Sequence, residues 1–240
     1  MEMRTDTFID NYREAFGELA PLPIIFRYDD TPVAETPKIG GCFFKGLREV
    51  RDGRPISLNA ETIGCGGGKF YTGFSPMPDR VPVFVSLQEK YKRSPEMVAD
   101  FIRQADVRRT EKRYLNFIRI DGADRFDGME GVLFFATPDM LSGLCAWAFY
   151  DNNDADAVTA LFGSGCCSVV TNAVYENRRN GSRTFLGLFD PSVRPYVGEY
   201  ELGFVIPRCR FTRMYETMRE CCLSGTHAWK KVKERIGDRP

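Results

Sequence analysis

The chain has little with which to perform conventional acid–base or metal chemistry. His227 is its one histidine, among 240 residues that also hold only two tryptophans. No two of its cysteines are spaced Cys-x-x-Cys, which removes the usual zinc pairing. A phosphate-binding P-loop is missing, because Phe70 follows Lys69 where Ser or Thr is required. Gly163-Ser164-Gly165 lacks the spacing of a serine nucleophile elbow. Net charge is also absent: 33 Lys and Arg balance 33 Asp and Glu. That balance disfavours a nucleic-acid partner, whose phosphates call for an excess of cations. No apolar run approaches the ~18–20 residues that span a bilayer, so no membrane role is read. The N-terminus, MEMRTDTFIDNYREAF, shows no continuous apolar core of a secretory signal, and a cytoplasmic location is the expectation.

What is present is a globular pattern without linkers or low-complexity stretches. Residues 1–20 read as an amphipathic helix carrying Ile9, Tyr12, Phe16 and Leu19 at helical spacing. Strands are expected near 22–28, 55–62, 81–87, 114–120, 131–136, 183–189 and 200–206. Ser94-Pro95-Glu96 and Thr137-Pro138-Asp139 are helix starts: a capping hydroxyl, then a proline in the first turn. A third helix starts near Pro207, with Phe211, Met214, Tyr215, Met218 and Cys222 on one face. These elements predict one α+β domain over residues 1–240, with a mixed, largely antiparallel sheet packed by helices. Charge is uneven along it. Residues 121–156 carry eight acids and one base, whereas 208–240, the expected basic C-terminal helices, carry nine bases and four acids.

Eight cysteines, two pairs of them adjacent, suit a reduced interior better than a disulfide framework. Two segments combine cysteine with bare backbone. In the first, Gly64, Gly66, Gly67 and Gly68 surround Cys65, with Lys69 following. Such a turn admits close approach to main-chain N–H groups, and Phe70, Tyr71 and Phe74 are candidate walls. In the second, Gly163, Ser164 and Gly165 precede Cys166 and Cys167 at a helix start, with Ser164 as N-cap. A thiol in a first helical turn tends toward thiolate, so Cys166 or Cys167 is a candidate nucleophile beside Cys65. Cys42, Cys65 and Cys166 are the candidate ligands of a metal ion or iron–sulfur cluster. Arg194, in a loop stiffened by two prolines, is a candidate clamp for a carboxylate or phosphate. Cys145 and Cys222 are expected to be buried and inert.

These residues resemble the domain-of-unknown-function 169 family of bacteria and archaea. The resemblance runs from about residue 20 to about residue 225. It is carried by the Cys42 helix start, Gly64-Cys65-Gly66-Gly67, and Ser94-Pro95-Glu96 after a V-x-V-x-L strand. TPDMLSGL at 137–144, GSGC at 163–166 and FDPSVRPY at 189–196 complete it. Cys65 and Cys166 match its two cysteines, while Cys167 is extra. The resemblance implies no activity, substrate or cofactor. Three functions follow as expectations: a small-molecule binder for an anionic or planar ligand in a Gly/Cys pocket, a cysteine-dependent redox, metal or iron–sulfur enzyme, or a structural protein using its basic C-terminal helices. The two Gly–Cys turns are expected to meet at the ends of adjacent strands.

Overall fold

Strand alternation decides the architecture, because successive side chains enter opposite faces of a sheet. In β4 (Gly131–Ala136), Val132, Phe134 and Ala136 join one apolar core, while Leu133 and Phe135 join another. In β7 (Leu202–Pro207), Phe204 and Ile206 enter the first and Val205 the second. The computed structural model describes residues 3–236. Its seven strands add β1 (Ile24–Asp29), β2 (Ile56–Leu58), β3 (Tyr114–Arg119), β5 (Val158–Thr159) and β6 (Thr184–Gly187), in the order β2-β3-β1-β4-β7-β6-β5. β5 pairs parallel to β6 and every other pairing is antiparallel. The chain is thus one α+β domain with a mixed, mostly antiparallel sheet.

Both faces are apolar, so both need helices. The first core is covered by α1 (Thr5–Phe16), α6 (Pro138–Tyr150), α8 (Arg208–Thr217) and α9 (His227–Lys233). Trp147 of α6 is fully buried and donates its indole N–H to the Met214 carbonyl at 2.8 Å. The second core is covered by α2 (Phe44–Arg51), α3 (Gly66–Tyr71) and a helix running from residue 165 through a π-helical turn, Cys167–Thr171, into α7 (Asn172–Arg178). The expected caps form: Ser94 accepts from the Met97 N–H and Thr137 from the Met140 N–H. Met1, Glu2 and residues 237–240 lie outside the described residues.

Three expectations need correction. The alternating stretch at 81–87 is not a strand. It forms α4 (Val81–Val83) and a π-helical turn, Phe84–Gln88, ahead of α5 (Pro95–Gln104). Pro82 sits in the first helical turn, where its missing N–H costs nothing, and Ser86 donates back to the Pro82 carbonyl at 2.7 Å. Strand 55–62 shrinks to Ile56–Leu58, because the Asn59 side chain accepts from the Glu61 and Thr62 N–H groups and turns the chain. Cys222 is only half-buried and Cys145 likewise, whereas Cys221 is buried. Helix α8 ends at Thr217, so the helical stripe no longer selects Cys222.

Part of the uneven charge along the sequence is paired within the molecule. Arg210 of α8 is almost wholly buried; it pairs with Asp151 beyond α6 and donates to the Ala148 carbonyl at 2.9 Å. Arg235 pairs with Asp139, and Arg219 with Glu14. The hydrogen bond from Arg210 holds the Asp151 carboxyl below its ordinary range. Replacing Asp151 with alanine strands a buried guanidinium and should cost about 3–5 kcal/mol in urea unfolding. In the native chain this pair stabilises above the unfolded carboxylate value of about 3.9, and its contribution should disappear as pH falls below that value.

Candidate functional site

The two Gly–Cys turns meet on the second face of the sheet, although their strands do not neighbour one another. β2 is one edge of the sheet and β5 the other. The meeting comes from helices crossing the face: the helix after Gly165 packs on β6 and β7 and reaches α3, where Thr171 donates to the Tyr71 carbonyl at 2.7 Å. Segment 39–42 joins through a parallel bridge between Ile39 and Ile63 and a 3.0 Å bond from the Gly64 N–H to the Ile39 carbonyl. Gly64 thereby lies against Gly40 and Gly41, beside Cys42, while Gly165, beside Cys166, lies against Phe44 and Val193. Asp190 is buried at the head of the 190–194 turn.

Most of the glycines serve this approach of backbones. A Cβ at Gly64 would lie 2.4 Å from the Ile39 carbonyl oxygen, and one at Gly165 would lie 2.8 Å from Val193. Gly68 fits against Ile63 and Phe43, Gly66 against Pro78, and Gly163 against Phe101 and Cys167. Gly67 is the exception: a Cβ there meets only the Cys65 sulfur, at 3.8 Å. Cys65 is the N-cap of α3, its sulfur accepting from the Gly68 N–H at 3.4 Å. The Ser164 hydroxyl does not cap the following helix; it lies 3.2 Å from the Cys166 sulfur.

At Cys166 and Cys167 burial works against the thiolate expected at the helix start. Burial pushes the Cys166 thiol well above its ordinary value, and it pushes Cys167 up to about 12 and Cys42 up to about 11. Desolvation outweighs the helix start because Cys166 and Cys167 are 8% and 4% exposed. Arg194 is likewise no clamp. Its guanidinium donates to the carbonyls of Leu188, Gly198, Glu199 and Glu201, closing its own loop. Among the described residues, no three His, Cys, Asp or Glu side chains are grouped to hold a metal ion, Cys42, Cys65 and Cys166 included. Phe70, Tyr71 and Phe74 pack into the second core, which also holds Cys166 and Cys167, with Phe74 against Tyr28 at 6.1 Å.

Sequence reading missed the true neighbours. Tyr91, following the π-helical turn, lies 6.5 Å from the Phe162 ring, and Phe162 lies 5.9 Å from Phe189. Burial and the Asp190 charge both raise the Tyr91 phenol. These contacts join the α4–α5 hairpin to the turns on which Cys166 and Asp190 stand. Both π-helical turns, Phe84–Gln88 and Cys167–Thr171, border this region; such turns concentrate at functional sites. Only the chance of two aromatics beside the FDPSVRPY and GSGC segments hinted at this in the sequence.

The model of the DUF169 family, described as uncharacterised ArCR, matches residues 22–217. The chain belongs to the DUF169 family. The DUF169 match takes in every strand, every candidate site residue and α8, ending where α8 ends. No curated protein and no solved structure matches the chain. No helix among the described residues is long and apolar enough to cross a membrane.

In this DUF169 chain, a mass-resolved alkylation time course near pH 7 should label half-exposed Cys65 ahead of Cys166 and Cys167. Both of the latter should react more slowly than a free thiol peptide and accelerate as pH rises. The raised Cys167 value also has a stability consequence. Its contribution is complete below the ordinary thiol value of 9.0 and is lost as pH climbs toward about 12. Unfolding free energy followed against pH should fall across that window, and less so for Cys167→Ala.

Proposed function

We propose that the chain binds a small molecule where the Gly64–Gly68 and Gly163–Cys167 turns meet, beside the α4–α5 hairpin. The carrying observation is the close packing of three separate segments: a Cβ at Gly64 would lie 3.1 Å from the Gly41 nitrogen, and one at Gly165 would lie 3.1 Å from the Phe44 ring. The chain pays for that meeting with glycines that no turn geometry demands: Gly64 and Gly165 are bare because neighbouring segments press on them. Thiols that burial keeps protonated favour binding over nucleophilic attack, since the thiolate is the nucleophile. Eight unpaired thiols suit a reducing, cytoplasmic setting.

Two cavities elsewhere do not compete. An open groove of about 430 Å³ lies by Arg27, Ile118 and Arg125, where Ile118 feeds the first core, and a pocket of about 20 Å³ lies under Tyr28 and Tyr71. Neither is lined by a cysteine. Of the basic C-terminal region, Arg210, Arg219 and Arg235 are paired within the chain, which favours the small-molecule reading over a partner-binding one.

Gly67 provides the test, because a Cβ there meets only the Cys65 sulfur, at an ordinary contact distance of 3.8 Å. The small-molecule filtrate of a cell extract should slow alkylation of Cys65 and Cys42 in the native chain by roughly tenfold, the equivalent of about 1.4 kcal/mol of occupancy. Gly67→Leu should abolish that protection while retaining the native unfolding midpoint. Unprotected thiols in the native chain would overturn the reading.

A further inference from the structure

On the other face of the sheet, one row of residues breaks the apolar pattern. Arg27 of β1 stands opposite Asn116 of β3, and Asn116 stands opposite Ser57 of β2. Their strand neighbours Phe26, Leu115, Phe117, Ile56 and Leu58 enter the second core, so this row faces the first. Elsewhere on that face Ile25 and Ile118 feed the first core. Segment 31–36 covers two members of the row. The Val33 and Ala34 N–H groups donate to the Ser57 hydroxyl, and the Asn116 amide donates to the Thr31 carbonyl at 3.0 Å. Arg27 instead lines the open groove of about 430 Å³, together with Val33 and residues of the 122–127 loop.

The donors of Arg27 are unused. Its side chain is 29% exposed, as are those of Arg51, Arg119 and Arg178. Each of those three donates at least two hydrogen bonds: Arg51 to Glu201, Arg119 to Asp121 and the Arg51 carbonyl, Arg178 to Asp106. The Arg27 guanidinium donates none among the described residues. Asp29 lies 3.8 Å from its Nε and accepts from the Asp30 and Thr31 N–H groups instead. Three buried side-chain polar atoms lack a hydrogen bond among the described residues, and two of them, Arg27 Nε and Asn116 Oδ1, belong to this row. Unpaired buried polar groups cost stability. The row therefore does not serve the fold, and such costs are borne at functional positions.

The charges at the groove narrow what fits. Arg27 and Arg125 are its cations, Asp124 and Asp127 stand exposed on its rim, and Asp29 adds a third carboxylate. Three acids against two bases disfavour a simple anion such as phosphate. A simple cation would leave the Arg27 fork idle. Val33, Pro55, Ile118 and Ala123 supply apolar lining. The volume falls in the ~300–1,000 Å³ range of small-molecule sites.

We infer that this groove binds a zwitterion with an apolar body, the chemistry of an α-amino acid or a short peptide. The carboxylate accepts a two-bonded fork from Arg27. The ammonium meets Asp124 and Asp127, and the apolar body lies over Ile118 and Pro55. This site is separate from the meeting of the Gly–Cys turns and stands without it.

Calorimetric titration of the full chain with leucyl-leucine tests it, beside leucyl-leucinamide, which lacks the carboxylate, and N-acetyl-leucyl-leucine, which lacks the ammonium. Leucyl-leucine should bind saturably, and each blocked analogue roughly tenfold more weakly. Arg27→Met should weaken leucyl-leucine by the same factor and leave leucyl-leucinamide unchanged, because the carboxylate is then the group that Arg27 reads. Asp124→Asn combined with Asp127→Asn should weaken leucyl-leucine and leave the acetylated form unchanged. Since Arg27 donates no hydrogen bond to the fold, Arg27→Met should hold or raise the urea midpoint; a clear fall would make Arg27 structural and overturn the reading. Titration with L-leucine separates the two sources: equal or tighter binding than the dipeptide means a free amino acid, weaker binding a peptide. No saturable binding of either, equal affinity for the blocked analogues, or full affinity in Arg27→Met would each overturn the zwitterion site. Tighter binding of inorganic phosphate would overturn it in favour of an anion site.

Discussion

Everything in this molecule depends on a sheet that is apolar on both faces. The central pair, β4 against β7, runs from Gly131 opposite Pro207 to Ala136 opposite Leu202, and its alternate residues feed two separate cores. A one-residue slip of either strand would exchange the two sets, so register and core composition fix one another. Because neither face can meet water, helices must cross both. The first face receives α1, α6 and α8, of 12, 13 and 10 residues, with the shorter α9. The second receives α2 and α3, of 8 and 6 residues, and a helix interrupted by a π-helical turn. That second layer is where segments from distant parts of the chain are forced together.

The glycines follow from this crowding. Segment 39–42, the turn at 64–68 and the turn at 163–167 share one small volume, and a methyl group at Gly64 or Gly165 would strike its neighbours. Bare backbone here is first a packing device. The same crowding buries the thiols and raises them, so the environment that assembles the cysteines also removes their thiolate character. Assembly and activation pull in opposite directions, and assembly prevails because desolvation is large and the helix-start effect is confined to one turn.

Charge is arranged on the same principle of internal closure. The acidic stretch through β4 and α6 and the basic C-terminal helices are far apart in sequence but adjacent on the first face. Arg210 with Asp151 and Arg235 with Asp139 join them. The buried member, Arg210, is worth most when intact, since losing its partner leaves a charge out of water. The outer pairs, at the surface, contribute little.

Sequence by itself determined the strands that carry period-two alternation, the helices announced by Ser94-Pro95 and Thr137-Pro138, and the segments on which cysteine meets glycine. Those are local signals: a cap, a proline or an alternation is complete within a few residues. The DUF169 resemblance was legible for the same reason, being carried by short motifs. Tertiary structure alone decided the rest. Val81–Leu87 alternates like a strand, yet finds no sheet edge and coils, because strand propensity is realised only against a partner. Cys166 and Cys167 stand at a helix start, but their protonation answers to what buries them. Arg194 looks like a free clamp until its own loop folds back onto it. Tyr91 and Phe162 lie outside the motifs, and they become neighbours of each other and of Phe189 only when the hairpin packs over the second face. Burial, partner and proximity are properties of the whole chain, and no window of sequence contains them.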